Sequence, residues 1–108
     1  MMLDSHFFAV AASVRSTLAD DSEMEDLLRA FAETIPQKRE TLRAFHREGS
    51  LEKLRGWAHQ LKGAGGGYGF PGLSEAAADL EVACETQNAD RITQTVDRLA
   101  DYLSRIEV

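Results

Sequence analysis

Ala58-His59-Gln60-Leu61-Lys62-Gly63-Ala64-Gly65-Gly66-Gly67-Tyr68-Gly69-Phe70-Pro71 lies near the middle of a chain of 108 residues and sets local propensity against global pattern. Its five glycines, at 63, 65, 66, 67 and 69, argue for a loop. Each glycine inside a helix costs roughly 0.8–1 kcal/mol relative to alanine, so a helix through the run gives up on the order of 3–5 kcal/mol. Whole domains are stable by only about 5–15 kcal/mol. Two explanations carry a cost of that size. Either the helix breaks, or it continues because something must come close to its backbone. Leu51, Leu54, Trp57, Ala58, Leu61, Ala64, Gly65 and Tyr68 recur at steps of three and four, which favours one helix continuing to about Tyr68.

The opposite face of that helix then holds Glu52, Arg55, His59, Lys62, Gly63 and Gly66. His59 points to solvent, with Lys62 and Gly63 one turn on and Gly66 two turns on. A histidine on a helix surface is ordinarily just a solvated side chain. Here a neighbouring cation and a floor without side chains suit it to a bulky anion. The imidazole is near neutral at physiological pH, so one ring nitrogen is free to act as a nucleophile. Lys62 is within reach of a group held on His59, where a charge pair at 4 Å is worth about 1 kcal/mol in water and about 4 at a partly desolvated surface.

At these residues the chain resembles the histidine-containing phosphotransfer domain of multistep phosphorelays. The family pattern of His-x-Leu-Lys-Gly, a small-residue run, a glycine ten positions after the His and an apolar helix ending in Leu-Glu appears as His59 to Gly63, Ala64 to Gly67, Gly69, and Leu73 to Leu80-Glu81. The match is dense in the middle third and diffuse elsewhere. Ala64, Gly65 and Gly66 stand where common members have Ser or Ala, which keeps small side chains and loses hydroxyls. The resemblance implies that His59 attacks the aspartyl phosphate of a receiver domain and passes the phosphoryl group to a second receiver. It gives Lys62 the role of stabilising phosphoryl charge. Gly63 and Gly66 become clearance for the receiver's rim, and Arg55, Gly56 and Gln60 border the docking surface. Mg2+ is expected on the partner receiver, with no cofactor or metal bound by this chain.

Composition bounds the rest. The chain is 44% apolar with two prolines, as suits one compact helical domain. A net charge of −6 argues against nucleic acid or anionic lipid as the main partner. The lone Cys84 forms no internal disulfide and reads as a small core residue; one Cys and three scattered His build no structural zinc site. Phe7 to Val14 is too short an apolar run to span a membrane and has Asp4 where a secretory leader would be basic. A cytoplasmic protein is expected, monomeric because its exposed site stands alone.

Residues 1 to 19 are read as an accessory segment in which Phe7, Phe8, Val10, Ala11, Val14 and Leu18 line a short helix on the bundle. The bundle proper spans 22 to 108. Asp20-Asp21-Ser22 announces its start, with Ser22 and Glu25 spaced as a capping box. Met24, Leu27, Leu28, Phe31, Ile35, Leu42 and Phe45 mark one long helix to about Arg47, bent rather than divided near Glu33 to Pro36. Gly49-Ser50 is a boundary, Phe70-Pro71-Gly72 a turn, and Leu73, Ala76, Ala77, Leu80, Ala83 and Cys84 the face of the next helix. Asn88 and Asp90 cap a last helix carrying Ile92, Val96, Leu99, Leu103 and Ile106. The fold class is all-α: an antiparallel up-down four-helix bundle with an additional short N-terminal helix. Trp57, Leu61 and Tyr68 are expected in the core. His6, His46, Arg43, Arg47 and Lys53 are given no role.

Gly67-Tyr68-Gly69-Phe70-Pro71-Gly72 satisfies the bare G-x-G-x-x-G spacing, but no strand precedes it and Pro71 interrupts it; no Gly-Lys-Ser/Thr makes a P-loop. The leading expectation is therefore a phosphoryl carrier without kinase activity, relaying through His59 between receivers of hybrid histidine kinases and response regulators. A module that docks receivers or another helical partner without being phosphorylated is the alternative. A phosphatase is a weaker third, with only Gln60 to position water.

Overall fold

A computed structural model of the protein describes residues 12–107. Five helices follow a single 3-10 turn at Ser22–Met24: α1 (Glu25–Glu33), α2 (Ile35–Glu48), α3 (Leu51–Tyr68), α4 (Pro71–Thr86) and α5 (Ala89–Arg105). Taken end to end, α1 and α2 form the first arm of the expected four-helix bundle, and α3, α4 and α5 form the other three. Among the described residues no helix is long and apolar enough to cross a membrane.

The first arm is divided at one residue, Thr34, where a single bend was expected. Pro36 has no N–H to bond back along the helix. The Thr34 N–H returns to the Phe31 carbonyl at 3.0 Å and its hydroxyl bonds the same oxygen at 2.7 Å, closing α1 before Ile35 opens α2. The start of the arm also differs. Asp21, not Ser22, caps it, accepting from the Glu23 N–H at 2.9 Å.

Sequence signals set the later boundaries. Gly49 ends α2 in a left-handed conformation at φ 71°, and Ser50 caps α3 by accepting from the Lys53 N–H. Gly69 ends α3 at φ 79°, Pro71 begins α4, and the Asn88 side chain caps α5 on the Arg91 N–H. Leu42, Leu54, Leu61, Leu73, Leu80, Leu99 and Leu103 are almost wholly excluded from water and form one core with Phe31 and Phe70. Each fully buried leucine contributes about 1.5–3 kcal/mol of transfer free energy. Cys84 lies in this core, as expected.

Of the expected N-terminal helix, residues 1 to 11, with Phe7, Phe8, Val10 and Ala11, lie outside the described residues. The described part is not helical. β1 (Val14–Arg15) runs parallel to β2 (Ile106–Glu107), pairing Val14 with Ile106, and a turn follows. Ser16 and Thr17 have better partners than their own helix would provide. The Ser16 hydroxyl donates to the Tyr68 carbonyl at 2.6 Å and accepts from the Leu18 N–H, while the Thr17 N–H donates to the Gly69 carbonyl at 2.8 Å. The segment is thus a strap that satisfies the orphan carbonyls at the end of α3.

Candidate functional site

The glycine run is helical from Gly63 to Gly67 and left-handed at Gly69, and its members do different things. A Cβ on Gly65 would meet the Ser74 Oγ at 2.5 Å, the Ser74 nitrogen at 2.7 Å and the Phe70 oxygen at 2.8 Å. Two of those three atoms are backbone, so Gly65 is what lets α3 and α4 pack this closely. The Ser74 hydroxyl fastens the contact by donating to the Lys62 carbonyl at 2.7 Å. Gly56, Gly63, Gly66 and Gly67 have nothing within 4 Å of a built Cβ and leave the outer face of α3 bare.

That bare face carries the expected site residues together. Arg55, Gly56, His59, Gln60, Gly63 and Gly66 are exposed and Lys62 is half-buried. The His59 side chain is 68% exposed, which leaves its ring open to a reaction partner. Trp57 and Tyr68, expected in the core, are only half-buried, because they face the break between α1 and α2. With Phe31, Lys38, Gln60 and Ala64 they line a hollow of ≈ 330 Å³, and a second hollow between α2 and α3 shares Trp57 and Gln60. Phe31 stacks on Tyr68 at 4.3 Å between centroids, and the Trp57 indole donates to the Lys38 carbonyl.

On its other flank the face meets α4, and there stands Glu81, quoted in the sequence pattern but assigned no role. Its Oε2 lies 3.1 Å from His59 Nδ1 and its Oε1 lies 3.1 Å from Lys62 Nζ. A carboxylate only accepts, so Nδ1 carries the proton in this pair and the neutral ring keeps its lone pair on Nε2. The hydrogen bond from Lys62 leads in holding the Glu81 carboxyl below its usual range; burial opposes it and the His59 hydrogen bond adds to it. The result is a solvent-facing nucleophilic nitrogen whose ring is fixed from behind by an anion, with an ammonium alongside.

A sequence signal for Glu81 existed. His59 and Glu81 lie equally far from Phe70, eleven residues on either side (70 − 59 and 81 − 70), so a tight antiparallel hairpin turning there brings them level. The other residues passed over behave as ordinary surface groups. Arg43 pairs with Asp97, Arg47 with Glu40 and Lys53 with Glu48, and His46 lies 3.4 Å from the Thr93 hydroxyl. His6 lies outside the described residues.

A family model for the Hpt domain matches residues 26–108. No curated protein and no solved structure matches the chain.

Proposed function

The chain belongs to the Hpt domain family, whose members carry phosphoryl groups in two-component phosphorelays, and from that premise we propose that His59 is its phosphorylated residue. The observation that carries this is the pairing of His59 Nδ1 with Glu81 while the rest of the ring stands open to solvent.

In the proposed step the Nε2 lone pair attacks the phosphorus of a receiver's aspartyl phosphate. An N–P bond forms, and the P–O bond to the aspartate breaks with its electron pair remaining on the aspartate carboxylate. The ring, still protonated on Nδ1, becomes cationic as the bond forms. Glu81, accepting the hydrogen bond from that proton, keeps the ring oriented with Nε2 free for the incoming group. Lys62 offers its charge to the incoming phosphoryl oxygens. The receiver supplies the aspartate and its Mg2+; this chain supplies nucleophile, cation and surface. Gly63, Gly66 and Gly56 give clearance, and Arg55 and Gln60 flank the docking area on opposite sides. The same step reversed, onto a second receiver, completes a relay in which no step consumes a nucleotide.

The test is incubation of the protein with a phosphorylated receiver and Mg2+, followed by intact mass measurement. One acid-labile phosphoryl group is expected on the wild type and none on His59→Ala. If His59→Gln kept full relay function in cells, a docking module that is never phosphorylated would be the better reading.

A further inference from the structure

Lys62 is already engaged before any phosphoryl group arrives. Its ammonium and the His59 ring share one carboxylate, each on its own oxygen at 3.1 Å. The three side chains differ in freedom: that of Glu81 is 15% exposed, that of Lys62 42% and that of His59 68%. Glu81 is therefore the fixed member, and Lys62, on its long flexible stem, is the one able to move. Nδ1 and Nε2 point to opposite edges of the imidazole. A phosphoryl dianion on Nε2 stands across the ring from Glu81, so drawing Lys62 toward it draws Lys62 away from the carboxylate.

We propose that Glu81 competes with the phosphoryl group for Lys62 and so limits how tightly this chain holds phosphate on His59. The proposal rests on His59 being the phosphorylated residue. Each time the N–P bond forms, the Lys62–Glu81 contact has to be given up, wholly or in part. When the phosphoryl group leaves for a receiver's aspartate, the contact is restored and helps release. The charge on one α4 carboxylate thereby sets the balance of phosphate between this carrier and its partners, a useful property for a protein that must both accept and donate.

Glu81→Gln separates this from a merely structural role, because the amide oxygen still accepts from Nδ1 while the competing charge is gone. The measurement is the equilibrium ratio of phosphorylated chain to phosphorylated receiver, taken for every variant at the same pH. Glu81→Gln is expected to raise the ratio about twofold to fivefold, the worth of an ion pair at a protein surface. Lys62→Met is expected to lower it, and Glu81→Gln placed in the Lys62→Met background is expected to leave it unchanged. An unchanged or lowered ratio in Glu81→Gln overturns the proposal. So does an equal rise in the Lys62→Met background, which would mean direct repulsion between Glu81 and the phosphoryl group. A wild-type chain that accepts phosphate from neither a receiver nor phosphoramidate would overturn the phosphorylation of His59 itself. A phosphorylated wild type with an unshifted Glu81→Gln ratio would overturn only the competition.

Discussion

His59 owes its accessibility to its place on α3 and its tautomer to a residue on α4. The first follows from helical spacing and was legible in the sequence. The second depends on where α4 lies and was not, although the hairpin about Phe70 contained the hint. Two predictions belong to single residues. The lowered Glu81 pKa means that its charged contacts stabilise the folded protein above the ordinary carboxylate range and that this contribution is lost as pH falls through the folded-state value. Urea unfolding across a pH series should therefore show the gap between wild type and Glu81→Gln constant at neutral pH and closing in the acid range. Cys84 is the second case. Burial pushes its thiol up, with Glu81 and Glu85 adding to the effect and Arg55 opposing it. A thiol reagent at neutral pH should label it slowly in the folded protein and quickly once the protein is unfolded.

At the level of the helix, one sequence run contains glycines of opposite meaning. Gly65→Ala would drive a methyl against the backbone of Ser74 and Phe70 and is expected to destabilise the protein by about 1–3 kcal/mol, the usual cost of overpacking. Gly66→Ala meets nothing and is expected to stabilise it by up to about 1 kcal/mol, through helix propensity alone. Thermal unfolding of the two variants distinguishes them. If the bare face is clearance for a receiver, Gly66→Ala should also slow phosphotransfer despite its greater stability. Periodicity in the sequence assigned Gly65 to the packed side and Gly66 to the open side. It did not foresee the division at Thr34, because a proline forbids one hydrogen bond without stating where the helix will close. That was settled by Thr34 bonding back to Phe31 while Phe31 stacks on Tyr68.

Across the whole molecule, charge is unevenly shared. α4 carries Glu75, Asp79, Glu81 and Glu85 and no Lys or Arg, whereas α2 and α3 carry Lys38, Arg39, Arg43, Arg47, Lys53, Arg55 and Lys62. A net charge of −6 conceals two cations, Arg55 and Lys62, on the side of α3 that bears His59, while Arg43, Arg47 and Lys53 are paired with acids. Receiver docking on that side should weaken as salt rises, and Arg55→Glu should slow association more than it speeds dissociation in a stopped-flow measurement. The strap closes the molecule at its other end. Ser16→Ala removes the hydroxyl on the Tyr68 carbonyl and should cost about 1–2 kcal/mol, read as a lower Tm. The amino-acid sequence by itself determined the four arms of the bundle, the caps at Gly49, Ser50 and Asn88, the face bearing His59 and the likeness to the Hpt family, because these rest on patterns along the chain. The tertiary structure alone decided the carboxylate behind His59, the strap on α3 and the half-open hollow at Trp57. Each of those joins residues from separate elements, and the carboxylate reaches His59 because Gly65 lets α3 and α4 approach closely.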